Sequence, residues 1–246
     1  MIENIWNKCK GEKYIEYLNE KVVRLDDIET PSLRKLVDTN DELNILENLI
    51  VSSKNNKKIP NVHPLISFKS PAKYASRFGK QFEKSIWYSS IDIQTAFAEI
   101  AFYRFNFLHA SKVEFDLVEK NYSSFVISIE TPKAIKLHKE PFIHYKNTIS
   151  SPVSYDHSQF LGSMMRDANI EAFTYLSARS INDGLNVGVF SQELFYKKIP
   201  DAFQTWQCIA NKDTVEFSLL SAAHQECHRF NIKNFLVNDV LPFPAS

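Results

Sequence analysis

Residues 76–107 read SRFGKQFEKSIWYSSIDIQTAFAEIAFYRFNF, and the division of this stretch into strand and helix decides the fold. The segment IWYSS, 86–90, is short and rich in β-formers, which predicts a strand. From 91 to 108 the apolar residues Ile93, Ala96, Phe97, Ile100, Ala101, Phe105 and Leu108 recur at spacings of three and four, the period of a helix pressed on a core. Ser89 and Ser90 offer hydroxyls for its N-cap and Asp92 favours the positive end of its dipole, so the helix is expected to start there.

Glu99 sits inside that oily run with no charged neighbour one turn away. A carboxylate taken out of water without partners costs several kcal/mol, so it must be paired, protonated or used. One reading makes it an edge residue that reaches solvent. The other follows from what precedes it: the strand ends where the helix begins, which brings Tyr88 and Glu99 to one rim, and Arg77 is joined to Tyr88 by a loop containing Gly79, one of five glycines in the chain. A guanidinium, a phenol and a carboxylate in one strand-loop-helix unit suit a ligand with phosphates, a planar heterocycle and a sugar that develops positive charge. Cleavage of NAD at the nicotinamide-ribose bond needs those parts.

The chain has 246 residues, 44% hydrophobic and 24% charged, enough for one sizeable core and ordinary for a folded protein. Its 29 basic and 29 acidic side chains cancel, so no global field draws it to nucleic acid or to an anionic membrane. Cys9, Cys208 and Cys227 are odd in number and far apart, which argues against a disulfide framework and for a reducing, cytoplasmic setting. The first residues, MIENIWNKCKGEKY, lack the apolar core of a signal peptide, and no run reaches the roughly 18 apolar residues of a membrane span.

In chain order, two amphipathic helices are predicted at 13–24 and 40–53, separated by a turn around Thr30, Pro31 and Ser32, and a polar loop follows at 52–60. A strand at 62–68 carries Lys69 at its end. After the central helix come three strand-like segments, 112–118, 123–130 and 133–138, broken at Asn121 and Pro132. A helix at 158–168, a strand at 171–175, a loop around Gly184 and a strand at 186–190 follow, placing Ser177 and Arg179 between two strands. A hairpin pairs 204–210 with 214–219, and the tail is expected to be helical from 221 to about 235. The organisation is therefore a helical N-terminal extension over 1–60, a mixed core over 61–220 and a helical tail over 221–246.

Other chemistries fare worse. His224 and His228 stand one helical turn apart, but no third ligand accompanies them at a recognised spacing, so no metal site is expected. Cys208, in a predicted strand of alternating polarity, reads as a buried, inert thiol. No Gly-rich dinucleotide fingerprint, phosphate loop or nucleophile elbow occurs. Phe102, Tyr103, Phe105 and Phe107 are assigned to packing, since they span all faces of the helix, and Arg104 and Arg166 to solvent or ion pairs.

Three blocks taken together resemble the RES-domain proteins, the toxins of RES-Xre toxin-antitoxin pairs: SRFGKQFEKSIWYSSIDIQTAFAEIAFYR, then SYDHSQFLGSMMRDANIEAFTYLSARSINDGLNVGVF, then QTWQC. The segment KLVDTNDELNILENLIVSSK is similar to the N-terminal part of one subfamily, so the likeness runs from about residue 30 to 218. The resemblance implies an α+β fold like that of the ADP-ribosyltransferases, a split β-sheet core around an NAD cleft with flanking helices. It also implies NAD as substrate rather than as a tightly bound cofactor, degraded by phosphorolysis or hydrolysis.

Carried over by motif, the catalytic set is Arg77, Glu99 and Ser177, with Lys69, Phe78, Tyr88, Ser89 and Arg179 contacting the dinucleotide. Arg77 helped by Lys69 would hold the diphosphate, Tyr88 stack near nicotinamide or ribose, Glu99 stabilise the ribosyl cation, and Ser177 bond the nicotinamide side or the nucleophile. Lys69 is a departure, because related sequences carry Arg there and Lys lacks the planar fork. The implied partners are an Xre-type antitoxin, NAD and inorganic phosphate, with a homodimer left open. Transfer of ADP-ribose to a protein, and NAD or partner binding without turnover, are the alternative readings.

Overall fold

The structure, a computed structural model, describes residues 4–27, 68, 74–113, 116–196, 198–221 and 225–243. The predicted helix at 40–53, the strand at 62–68 apart from Phe68, and Lys69 lie outside them. Among the described residues eight strands, β1 (Glu16–Asp27), β2 (Trp87–Ser90), β3 (Val118–Lys136), β4 (Ala172–Leu176), β5 (Leu185–Val189), β6 (Asp201–Ala210), β7 (Thr214–Leu219) and β8 (Cys227–Asn231), form one sheet in the order β1-β2-β5-β4-β3-β6-β7-β8, and β1 pairs with β3 as well. That extra pairing closes β1, β2, β5, β4 and β3 into a ring and leaves β6, β7 and β8 as a wing.

The spine is β3 (Val118–Lys136). Its N-terminal part pairs antiparallel with β6 (Asp201–Ala210) through Val126, and its C-terminal part pairs parallel with β4 (Ala172–Leu176) from Ala134 onward. Between those two partners the sheet splits. Pro132, read in the sequence as a break, lies in this gap, where a residue without an N–H costs no ladder bond. The register against β1 slips beside it, between the Leu18–Thr131 and Glu16–Ala134 pairs, so the chain bulges there rather than turning. Asn121 is also inside the strand, paired with Gln207.

β1 (Glu16–Asp27) corrects the helix predicted at 13–24. Leu18, Val22 and Leu25 are spaced by four and three, which imitates a helix, but the segment alternates its burial and pairs with β3 along its length. Leu18 and Val22 enter the ring interior beside Trp87, Phe125, Ile127 and Val187. Val23 and Leu25 point the other way, into the core shared with the central helix. The described part of the N-terminal extension is thus a short helix α1 (Ile5–Cys9), a 3-10 turn and a strand built into the sheet.

The central helix α2 (Ile93–Ala110) is as long as predicted but starts differently. Asp92 is its N-cap, accepting the Thr95 N–H at 2.8 Å and the Thr95 hydroxyl at 2.7 Å. Ser89 and Ser90 belong instead to β2 (Trp87–Ser90). Phe97, Phe102 and Phe105 are fully buried, Phe97 stacked on Phe217 at 4.4 Å, so α2 is clamped between the ring and the wing.

A third core packs α1, the helical turn α3 (Lys146–Ile149) and α4 (Asp156–Asp167) on the outer face of β3 and β4. β5 (Leu185–Val189) and the hairpin of β6 with β7 (Thr214–Leu219) appear where predicted. The tail corrects its prediction: it is a strand, β8 (Cys227–Asn231), and a 3-10 turn. Cys227 to Asn231 pair with β7, and that partner outweighs any local helical preference. No helix among the described residues is long and apolar enough to cross a membrane.

Candidate active site

A cavity of about 330 Å³ opens where the start of α2, the outer faces of β2, β4 and β5, and the turn at Ser76–Gly79 meet β1. Its charged lining residues are Glu99, Arg77 and Arg24. One carboxylate and two guanidiniums on the lining of one cavity suit an anionic ligand with a centre of positive charge, Arg24 being already paired with Asp26 at 2.7 Å. A wider hollow of about 930 Å³ lies elsewhere, where four of the charged residues that line it pair with one another, Lys133 near Glu171 at 3.8 Å and Arg166 near Glu83 at 3.9 Å.

Glu99 is half-buried, and its environment is built from three elements. The Ser177 hydroxyl donates to its Oε1 at 2.7 Å and the Asn186 amide donates to the same oxygen at 2.6 Å. Ser177 has no freedom in this role. Its Oγ already accepts the backbone N–H groups of Arg179 at 3.0 Å and Ser180 at 3.1 Å, so its one proton goes to Glu99. Gly184 brings the loop close enough: a Cβ there would stand 1.9 Å from Thr95 Oγ1 on α2.

Arg77 is 6% exposed. Its Nη1 donates to the Ser151 carbonyl at 2.7 Å, and its guanidinium lies over the Tyr155 ring at 4.6 Å. The turn that carries it is fastened to α4. Ser158 donates to the Arg77 carbonyl at 2.6 Å and Gln159 to the Ser76 carbonyl at 3.0 Å, while Gly162 allows contact, since a Cβ would fall 1.9 Å from the Phe78 carbonyl oxygen. From β2, the Tyr88 hydroxyl accepts the Phe78 N–H at 3.2 Å and lies 3.0 Å from Ser76 Oγ.

Burial pushes the Tyr88 hydroxyl up to about 12 and that of Tyr175 well above its ordinary range, Glu99 and Tyr88 adding to the latter. Both phenols are neutral donors or acceptors at physiological pH, not bases. Ser89 is 7% exposed, lines the cavity, and its Oγ is buried without a hydrogen-bond partner among the described residues.

The structure brings Arg77, Tyr88, Ser89 and Glu99 to one cavity, with Ser177 directly behind the acid. Phe78 and Arg179 do not line it. Phe78 is fully buried against Phe173 and Tyr175 at 4.6 and 4.8 Å. The Arg179 guanidinium sits 3.4 Å over Phe102 and donates to the Pro152 carbonyl at 3.0 Å; burial lowers its pKa. Both brace the walls. Lys69 lies outside the described residues.

Sequence reasoning missed Arg24, Asn186, Tyr103 and Tyr175 as lining residues. Tyr103 had a signal, since it follows Glu99 by one helical turn and so shares its face; it is 55% exposed at the cavity mouth. Arg24 had none, because its segment was read as a helix. Its Nη1 donates to the Tyr88 carbonyl at 3.3 Å and its Nε pairs with Asp26 at 2.7 Å. Cys208 is buried in β6 as expected, its thiol pushed up to about 12. His228 is on a strand, 2.8 Å from Glu226, and His224 lies outside the described residues.

An α+β protein with an acid-bearing cavity between its central helix and the junction of β1 with β2 is the class that fold and site define. The chain belongs to the RES domain family, whose model matches residues 55–211. Its structure is similar to a chain of the M. tuberculosis MbcT-MbcA toxin-antitoxin complex, with 9% identity and a TM-score of 0.51, over 82% of this chain and 92% of that one. The α+β fold expected from the sequence is accordingly shared with that chain. No sequence among curated proteins matches the chain.

Proposed function

We propose that this protein is a toxin that degrades NAD by cleaving the nicotinamide-ribose bond. The observation that carries the reading is the state of Glu99: a half-buried carboxylate with two donors on Oε1, in a cavity that also presents Arg77 and Arg24. The guanidiniums hold the diphosphate, and Tyr88 and Tyr103 offer aromatic surface to the nicotinamide end. As the C–N bond breaks, its electron pair neutralises the pyridinium nitrogen and positive charge passes to the ribose. A fixed carboxylate stabilises that charge more in the transition state than in the ground state, which is what accelerates a reaction.

Water then adds to give ADP-ribose and a proton, or inorganic phosphate adds to give ADP-ribose 1-phosphate. The family and the toxin-antitoxin complex in which the similar fold occurs support an Xre-type antitoxin as the partner that restrains the activity. The test is to incubate pure protein with NAD, with and without phosphate, and to separate the products. Loss of NAD with release of nicotinamide is expected. Unchanged NAD, with harmless expression in cells lacking an antitoxin, overturns the reading; stoichiometric labelling of a macromolecule redirects it to ADP-ribosyl transfer.

A further inference from the structure

We propose that Asn186 is a positioning residue for Glu99 and that Ser90 fixes the orientation of its amide. The inference rests on the reading of Glu99 as the acid that faces the ribose. Asn186 is 2% exposed, and both ends of its side chain are engaged: Nδ2 donates to Glu99 Oε1 at 2.6 Å and Oδ1 accepts the Ser90 hydroxyl at 2.7 Å. A carboxylate offers only acceptors, so the amide nitrogen must face Glu99, and the amide oxygen then requires a donor on its other side. Ser90 supplies it.

The backbone of Asn186 is already paired with Ser90 on β2 and Tyr175 on β4. The ladder therefore does not need the side chain, and an amide buried at this point serves the carboxylate. With Ser177 donating to the same oxygen, Oε1 is occupied twice, while Oε2 has no hydrogen-bond partner among the described residues. The consequence is a carboxylate with two unlike oxygens. Oε1 anchors it to β5 and to the loop after β4, and Oε2 is the oxygen offered to the ligand. Ser177, its lone pairs filled by Arg179 and Ser180 N–H groups, belongs to the anchor and is not a nucleophile.

The test compares Asn186→Ala and Ser90→Ala with the parent in NAD turnover and in crystal structures. Loss of a hydrogen bond to a charged group predicts that Asn186→Ala lowers kcat roughly 10- to 100-fold while KM stays within about threefold. Ser90→Ala, which leaves the amide in place but unfixed, should lower kcat by a smaller factor. In a Glu99→Gln background the Asn186 substitution should cost no further turnover, since the two residues act as one unit. The Glu99 side chain should leave its rotamer in the Asn186→Ala crystal structure. Unchanged kcat in both variants, an equal additional loss in the Glu99→Gln background, or an unmoved Glu99 side chain overturns the proposal. If the parent protein leaves NAD intact but Glu99 moves in the variant, the functional reading fails and the positioning role stands.

Discussion

Tyr155 lies beneath the guanidinium of Arg77, 4.6 Å from ring centroid to Cζ, while the same guanidinium donates to the Ser151 carbonyl. One side chain thus holds the loop before α4 and faces the cavity. Lysine keeps the charge at this position but neither the planar stack nor the fork. Arg77→Lys is expected to raise KM for NAD about tenfold and to lower stability by about 1–3 kcal/mol, from the lost stack and charge-assisted bond. Substrate titration and thermal unfolding check the two effects separately, and NAD affinity equal to the parent's would remove Arg77 from the ligand contacts.

Glu99→Gln separates chemistry from folding. The glutamine oxygen can still accept from Ser177 and Asn186, so unfolding in denaturant should change by less than about 1 kcal/mol. Turnover should fall by roughly 100- to 1000-fold or more, the scale seen when a charge-stabilising group is removed. A variant that loses its fold would show the carboxylate to be structural instead.

The narrow approach of the 177–184 loop to α2 makes Gly184→Ala informative. A methyl group there meets Thr95 Oγ1 at 1.9 Å and Ser180 Oγ at 2.7 Å. Overpacking of this kind costs about 1–3 kcal/mol, and here it also pulls Ser177 from Glu99. Stability and turnover should fall together, and Thr95→Ala should restore part of both.

Tyr88 carries a prediction for alkaline pH. Burial raises its hydroxyl to about 12, with Ser76, Phe78 and Arg77 acting the other way. The folded state holds this proton more tightly than the unfolded chain, whose phenol titrates near 10. The stability it contributes is present below about pH 10 and is lost as pH climbs toward 12. Tyr88→Phe should flatten that part of the stability profile, measured by denaturant unfolding at successive pH values.

Much of this was legible beforehand, for reasons that differ by element. The strand IWYSS and helix α2 carry their own period, and the β6-β7 hairpin its own turn, so they needed no knowledge of partners. β1 did not: Leu18, Val22 and Leu25 fit a helix until β3 supplies a ladder, and the tail at 227–231 misled in the same way. Asp92 rather than Ser89 or Ser90 caps α2 because β2 keeps both serines extended and paired with β5. In the site, Arg77, Tyr88 and Glu99 were singled out from local pattern, while Ser89 and Ser177 entered through the family resemblance. Arg24 and Asn186 were not found, because strand pairing sets their register and no spacing in the chain announces it.

The shared spine also bears on how small a working piece of this protein can be. A fragment trimmed to the family boundaries, 55–211, would discard β1 and with it the partner of β3 at eleven positions from Glu16 to Asp27. It would also lose Arg24 from the cavity and Val23 and Leu25 from beneath α2. Such a fragment would present a long raw edge to its neighbours and clump rather than fold, so expression work on the minimal unit must begin upstream of Glu16.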